Sequence, residues 1–261
     1  MDLGITGRTA LVLGAGGGLG GAIAARLAAE GANVAVADIA PDALQDTVAR
    51  VEGVGAKALP LTWDLGDLTL VDSKVGEIEA GLGPVDICVN VTGGPPPTPV
   101  AGQELALWSR SFEQMILSVI AVTDRVLPGM RERGWGRILT STSSGALSPI
   151  PNLGISNALR GSLHGWSKSL SDEVGKDGVT SNVIVPGRIA TPRIRFLDER
   201  KAERAGCSVE EVAASSVATI PVGRYGAPEE YADVAAFLCS DRASYVTGSV
   251  VRVDGGMIRA V

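Results

Sequence analysis

"LVLGAGGGLGGAIAARLAAEGANVAVAD", residues 11–38, decides the fold. An apolar run ends at Leu13, five of the next seven residues are glycine, and a helical pattern begins near Leu19. A second apolar run, "NVAVAD" (33–38), closes the stretch on an acid. Strand, glycine turn, helix and strand in that order make a βαβ unit. Gly14, Gly18 and Gly20 have the spacing G-x-x-x-G-x-G, while Gly16, Gly18 and Gly21 satisfy G-x-G-x-x-G. A turn without side chains lets a pyrophosphate reach the backbone, where the amides and dipole of a helix N-terminus stabilise its charge. Tight-turn geometry alone would explain one or two of these glycines. The density of five points to a dinucleotide site.

Asp38 ends the second strand of the unit. A carboxylate there can accept hydrogen bonds from both hydroxyls of an adenosine ribose and would repel a 2′-phosphate. The glycine loop has no basic residue, and Ile39 follows Asp38. NAD(H) is therefore expected in preference to NADP(H).

Outward from this unit, short apolar runs alternate with amphipathic stretches to the end of the chain. Strands are expected at 9–14, 33–38, 57–63, 85–90, 136–141, 180–187 and 249–256, and helices at about 19–30, 41–52, 68–81, 104–133, 153–176 and 228–239. Runs of Val, Ile and Leu without polar alternation suit strands covered on both faces. The expected fold is α/β: a doubly wound, seven-stranded, mostly parallel sheet flanked by helices on both faces, in one domain over 1–261. The longest departure, 190–222, is expected to form a helical lid over the substrate pocket.

Composition removes several function classes. With 261 residues, 45% hydrophobic, the chain can bury a large core. Its formal charge of −6 argues against nucleic acid as a partner. No signal peptide or membrane-spanning run is expected, so no membrane partner is either. Three scattered cysteines suit reduced thiols in a cytoplasm, and one histidine without clustered cysteines gives no metal site.

These residues, with others downstream, resemble the short-chain dehydrogenase/reductase superfamily in its one-domain form. "GAGGGLG" (14–20) is similar to its glycine motif, with Leu13 where a Thr is usual. "WDL" (63–65) resembles the stretch whose Asp meets adenine, and "NVTGG" (90–94) the N-N-A-G stretch, with Val91 and Thr92 as departures. "VIVPGRIAT" (183–191) is similar to the P-G motif beside the nicotinamide, and "YVTGSVVRVDGG" (245–256) to the closing strand. The resemblance implies a Rossmann-type fold, a nicotinamide cofactor and usually a tetramer built partly from two long helices. A homotetramer or homodimer is expected, a hetero-oligomer with an active relative being the alternative. The cofactor residues it implies are Gly14, Gly18, Leu19, Gly20, Asp38, Ile39, Asp64, Leu65, Asn90, Gly93, Arg160, Pro186, Gly187, Ile189 and Thr191. Asp64 and Asn90 could equally tie turns to neighbouring strands, and Thr191 could cap the helix that follows.

The catalytic half departs from the pattern. The family's chemistry rests on Ser, Tyr and Lys, with the Tyr thirteen residues beyond the Ser and the Lys four further, and on an Asn in the preceding long helix. From Ser143 that spacing lands on Ser156 and Arg160, and Met115 stands where the Asn is expected. All three tyrosines, Tyr225, Tyr231 and Tyr245, lie far downstream. Arg160 stays cationic at ordinary pH and cannot serve as a proton donor, though it can grip ribose hydroxyls or an anion. A serine hydroxyl is far less acidic than a phenol. His164, on the same helix, reads as a packing residue.

Ser143, Ser156 and Arg160 remain the candidate catalytic set. The expected activity is an NAD(H)-dependent oxidation or reduction of a carbonyl/alcohol pair in a small molecule, with a remodelled proton path. Non-redox or double-bond chemistry and a silent cofactor-binding subunit are the alternatives. Arg160, Arg188, Arg193 and Arg195 could together favour a carboxylate- or phosphate-bearing substrate, solvated surface arginines being the alternative. The proline run in "GGPPPTPVAG" (93–102) is expected to form a rigid wall over the nicotinamide side.

Overall fold

The structure, a computed structural model, describes residues 1–259. Seven strands, β1 (Thr9–Leu13), β2 (Asn33–Asp38), β3 (Ala58–Thr62), β4 (Ile87–Asn90), β5 (Gly136–Ser141), β6 (Val179–Pro186) and β7 (Val250–Val253), form one sheet. Its order is β3-β2-β1-β4-β5-β6-β7 and every pairing is parallel. The chain runs outward from β1 to β3, then returns to place β4 on the other side of β1. That reversal opens a crevice at the carboxyl ends of β1 and β4, where such sheets bind ligands.

Each strand divides its side chains between two cores, because successive residues point to opposite faces. Val12, Val34 and Val36 pack with α1 (Gly18–Ala29), α2 (Pro41–Glu52) and α9 (Pro228–Leu238), through Ile23, Leu27, Leu44, Val51 and Ala235. Leu11, Leu13, Ala35 and Ala37 face α3 (Val71–Gly81), α5 (Ser118–Glu132) and α6 (Gly154–Val174), through Val75, Ile78, Val122, Val126 and Leu170. Both halves of each central strand are buried, which explains the apolar runs without alternation.

Two helical expectations need correction. The stretch 104–133 is not one regular helix: α4 (Leu105–Phe112) passes through a π-helical turn, Glu113–Leu117, into α5. The first turn of the expected 68–81 helix is a 3₁₀ turn, Leu68–Leu70, capped by Asp67, whose Oδ1 accepts the Thr69 N–H at 3.0 Å. By length and composition the continuous stretch Leu105–Glu132 could cross a membrane, which had not been expected. Here it lies on the sheet through buried Val122, Val126 and Met130, and on α6 through Val119. The 190–222 excursion is helical as expected, in two pieces, α7 (Pro192–Ala205) and α8 (Val209–Val217). A reciprocal cap starts α8: Ser208 Oγ accepts the Glu211 N–H at 3.1 Å, and Glu211 Oε2 accepts the Ser208 N–H at 2.8 Å.

Candidate active site

The glycine loop follows β1 at the crevice. Gly14 takes a left-handed φ of 63°, and a Cβ there would lie 2.5 Å from the Val91 carbonyl oxygen. A Cβ on Gly20 would come 2.1 Å from the Gly14 oxygen, so the first turn of α1 packs directly on the loop. Gly18 is also left-handed, at 54°, but its missing Cβ faces only Thr191, at 3.8 Å, and Gly17 faces open space. No side chain caps α1, and its first turn has no acid, so its N-terminal amides are available to an anion. Across the gap, Thr191 caps α7, its Oγ1 accepting the Ile194 N–H at 3.3 Å. Two helix N-termini thus border one side-chain-free space, which fits a dinucleotide diphosphate. A Gly18→Ala substitution puts a methyl into that space and a non-glycine residue into left-handed backbone, a strain of about 1–2 kcal/mol. At least tenfold weaker dinucleotide binding by calorimetric titration is expected, with the fold retained; unchanged affinity would place the diphosphate elsewhere.

The residues expected at the adenosine end lie at the tips of β2 and β3, held together by the Trp63 N–H on the Asp38 carbonyl at 2.9 Å. Asp38 Oδ2 accepts the Gly16 N–H at 2.9 Å and Oδ1 the Ala40 N–H at 3.1 Å. A Cβ on Gly16 would stand 2.7 Å from Asp38 Cγ, so this glycine makes room for that carboxylate. Ile39 presents an exposed apolar side chain beside it. Asp64 is exposed, with Oδ1 on the Gly66 N–H at 2.8 Å, and Leu65 is half-buried next to it. Leu19 is half-buried at the start of α1.

Asn90 differs in kind from these. Its side chain is fully buried, its Nδ2 donating to the Thr123 and Thr140 hydroxyls at 3.4 Å each, so it ties β4 to α5 and β5. Any part it takes in binding is through the backbone it fixes. Pro186 and Gly187 end β6, and a Cβ on Gly187 would strike Asp254 Cα at 2.5 Å. Ile189 is buried, and paired backbone bonds with Gly226, Ala190 N–H to its oxygen at 2.8 Å and its own N–H to Arg188 O at 2.9 Å, lead the chain to Thr191.

The candidate catalytic residues sit at the carboxyl end of β5 and the front of α6. Ser143 is extended, and its Oγ accepts the Gly145 N–H at 3.1 Å, capping a short 3₁₀ turn. Asn157 fastens the loop after this turn to α6, its Nδ2 donating to Ile150 O at 2.9 Å. The Ser156 side chain, half-buried, makes no hydrogen bond among the described residues. Arg160 is buried at 8% exposure and is a brace: Nη2 donates to Thr92 O at 3.0 Å and Gly93 O at 2.8 Å, and Nη1 to Ser141 O at 3.4 Å. It joins the ends of β4 and β5. Burial pulls its pKa down to about 10; the nearby Tyr231 phenol opposes that and Arg193 adds to it, so the group stays cationic at neutral pH. Met115 lies in the π-helical turn, in an apolar cluster with Val119, Ile155, Leu159 and Leu163.

No tyrosine replaces the missing phenol. Tyr231 is buried, sharing a 2.8 Å hydrogen bond with Ser141 Oγ and donating to Ile184 O at 3.2 Å; burial raises its pKa. Tyr225 donates to Asp198 Oδ2 at 2.8 Å, and Tyr245 is fully exposed. His164 shares a 3.0 Å hydrogen bond between Nε2 and Thr142 Oγ1, and desolvation lowers its pKa, in keeping with a neutral packing residue.

The proline run is held from both sides, since Gly154 N–H donates to Thr98 O at 3.0 Å and Arg193 Nη2 to Pro95 O at 3.4 Å. The sequence does not mark Asp198 and Tyr225 as partners of Arg188. Asp198, buried on α7, pairs with Arg188 and accepts from Tyr225, fastening α7 to the segment after β6. The only signal available was an acid on one helix ten residues from an arginine, which many unrelated pairs share.

A side-chain-free dinucleotide cradle beside a hydroxyl- and guanidinium-lined floor defines a nucleotide-dependent enzyme of the doubly wound type. The family model for Enoyl-(Acyl carrier protein) reductase matches residues 14–258, and the chain belongs to the short-chain dehydrogenase/reductase superfamily, a class of oxidoreductases on a Rossmann nucleotide-binding fold. It is similar to the 3-oxoacyl-(acyl-carrier-protein) reductase FabG of Escherichia coli (strain K12), 35% identical over 256 residues, covering 96% of this chain and 97% of that one. It is likewise similar to nodulation protein G of Azospirillum brasilense, 33% identical over 252 residues, with 96% and 98% covered. Among solved structures, L-sorbose reductase from Gluconobacter frateurii, complexed with NADPH and L-sorbose, superposes with a TM-score of 0.94 at 32% identity over 100% of both chains. An actinorhodin polyketide ketoreductase variant with NADPH gives 0.91 at 32% identity, covering 96% of this chain and 97% of that one.

Proposed function

We propose that the chain is an NAD(H)-dependent oxidoreductase acting on a carbonyl/alcohol pair of a small molecule through a remodelled catalytic site. The observation that carries this is a side-chain-free glycine cradle, with Asp38 on the Gly16 amide, in the same crevice as Ser143, Ser156 and Arg160. The cofactor, when bound, supplies the hydride exchange. Gly14, Gly18, Gly20 and Thr191 hold its diphosphate, and Asp38, Ile39, Asp64 and Leu65 border its adenosine. Ser143 and Ser156 orient the substrate oxygen and a water that gives or takes the proton. The Arg160 charge stabilises the developing oxyanion.

NAD(H) is favoured by the carboxylate at the ribose end and by a glycine loop without cations, although the solved relatives named above hold NADPH. A 2′-phosphate would face Asp38 at close range. Titration with both reduced cofactors is expected to give NADH at least tenfold tighter; tighter NADPH would overturn the preference. With the cofactor bound, NADH oxidation by a panel of ketones, aldehydes and enones tests the reaction. Turnover confined to enones would move it to carbon–carbon double bonds, and none with any class would leave a silent subunit.

A further inference from the structure

The four arginines near the lid fall into two groups. Arg188 pairs with Asp198, and Arg195 with Glu199 at 3.3 Å. Arg160 and Arg193 pair with no carboxylate among the described residues; their partners are backbone oxygens and, for Arg193, the Phe196 ring at 5.5 Å. The two meet at Gly94. A Cβ built there would stand 3.6 Å from Arg193 Nη2 and 3.8 Å from Arg160 Nη2, so the space where that side chain is missing is walled by two guanidinium groups. Arg193 is also in the first turn of α7, where the helix dipole adds positive potential. Two like charges and a helix N-terminus around one glycine repel each other unless an anion lies between them.

We propose that Arg193, with Arg160 behind it and Gly94 as floor, binds a carboxylate of the substrate. The inference rests on the carbonyl/alcohol reading above and names its substrate class: oxo acids or hydroxy acids. A planar carboxylate matches the guanidinium fork, and Arg160 lends charge while its Nη2 stays on the Thr92 and Gly93 oxygens. The cofactor's diphosphate is the other anion in reach. It has its own cradle at Gly14–Gly20, whereas Arg193 Nη2 donates to the Pro95 carbonyl in the segment after β4.

The test uses the full chain saturated with NADH, after a separate NADH titration has checked the cofactor reading. Oxo acids of three to six carbons and their methyl esters are titrated by calorimetry, with Arg193→Ala and Arg193→Lys beside the wild type. At least one acid is expected to bind tenfold or more tighter than its ester. Arg193→Ala should erase that difference while leaving the NADH affinity within twofold, and Arg193→Lys should restore part of it. Acids no tighter than esters across the set, or no binding of either, overturns the proposal. So does an Arg193→Ala variant that loses NADH affinity by the same factor, which assigns the guanidinium to the cofactor. Tight acid binding without NADH oxidation keeps the site and removes the redox reading.

Discussion

Arg160→Met is expected to lower the melting temperature by roughly 4–8 °C and to weaken dinucleotide binding. Two terms oppose each other. Methionine relieves the burial of a cation that has no carboxylate partner, and replacing buried charge by an apolar group of similar length is often neutral or stabilising. Against that, the Thr92, Gly93 and Ser141 oxygens lose their donor at once, and a hydrogen bond to a charged group contributes about 1.5–3 kcal/mol. Water can replace the donor at Gly93, which is exposed, but less readily at buried Thr92 and Ser141. The balance is a net loss of about 2 kcal/mol, and about 2–4 °C accompany each kcal/mol in a domain of this size. Scanning calorimetry with and without NADH measures both effects. A higher melting temperature for Arg160→Met would mean that the uncompensated charge dominates.

Putting the family's usual pair back, Ser156→Tyr with Arg160→Lys, is expected to reduce native turnover by a factor of about 10² to 10⁴, the range acid–base catalysis supplies. It is not expected to create an ordinary ketone reductase. An ammonium places its three donors on one atom, whereas the guanidinium of Arg160 spans oxygens on two strands' ends. Lysine would therefore release one side of the loop that follows β4. The restored tyrosine would also lack its relay, because Met115 sits in an apolar cluster where the asparagine would stand. Rates of NADH oxidation for wild type and double variant, over the substrate panel above, decide the matter. If the wild type reduces nothing and the variant reduces ketones, the native chain is no reductase.

Much of the architecture could be read because it rests on local rules. The glycine spacing, the strand–helix alternation and the acid at Asp38 each reflect a short-range requirement, and all seven expected strands are present with shifts of a few residues. The π-helical turn at Glu113–Leu117 could not be read, since one extra residue in a helical turn leaves no mark on composition or periodicity. Nor could the division of the arginines. Arg193 and Arg195 are two residues apart on α7, yet one reaches the Pro95 carbonyl, distant in sequence, and the other the Glu199 carboxylate one turn along. Asn90 illustrates a third limit. Its motif marks a position beside the cofactor, while its side chain is used inside the core, and only packing separates the two.

The Gly16–Asp38 contact bears on how this chain could change over time. The carboxylate expected to choose the coenzyme also holds the glycine loop, through the Gly16 amide, and fills the space where a side chain on residue 16 would go. Exchanging Asp38 for a small or basic residue would leave that amide without its carboxylate acceptor. A substitution that shifts coenzyme use at position 38 therefore also changes how the glycine loop is held, so the two properties are coupled through one carboxylate.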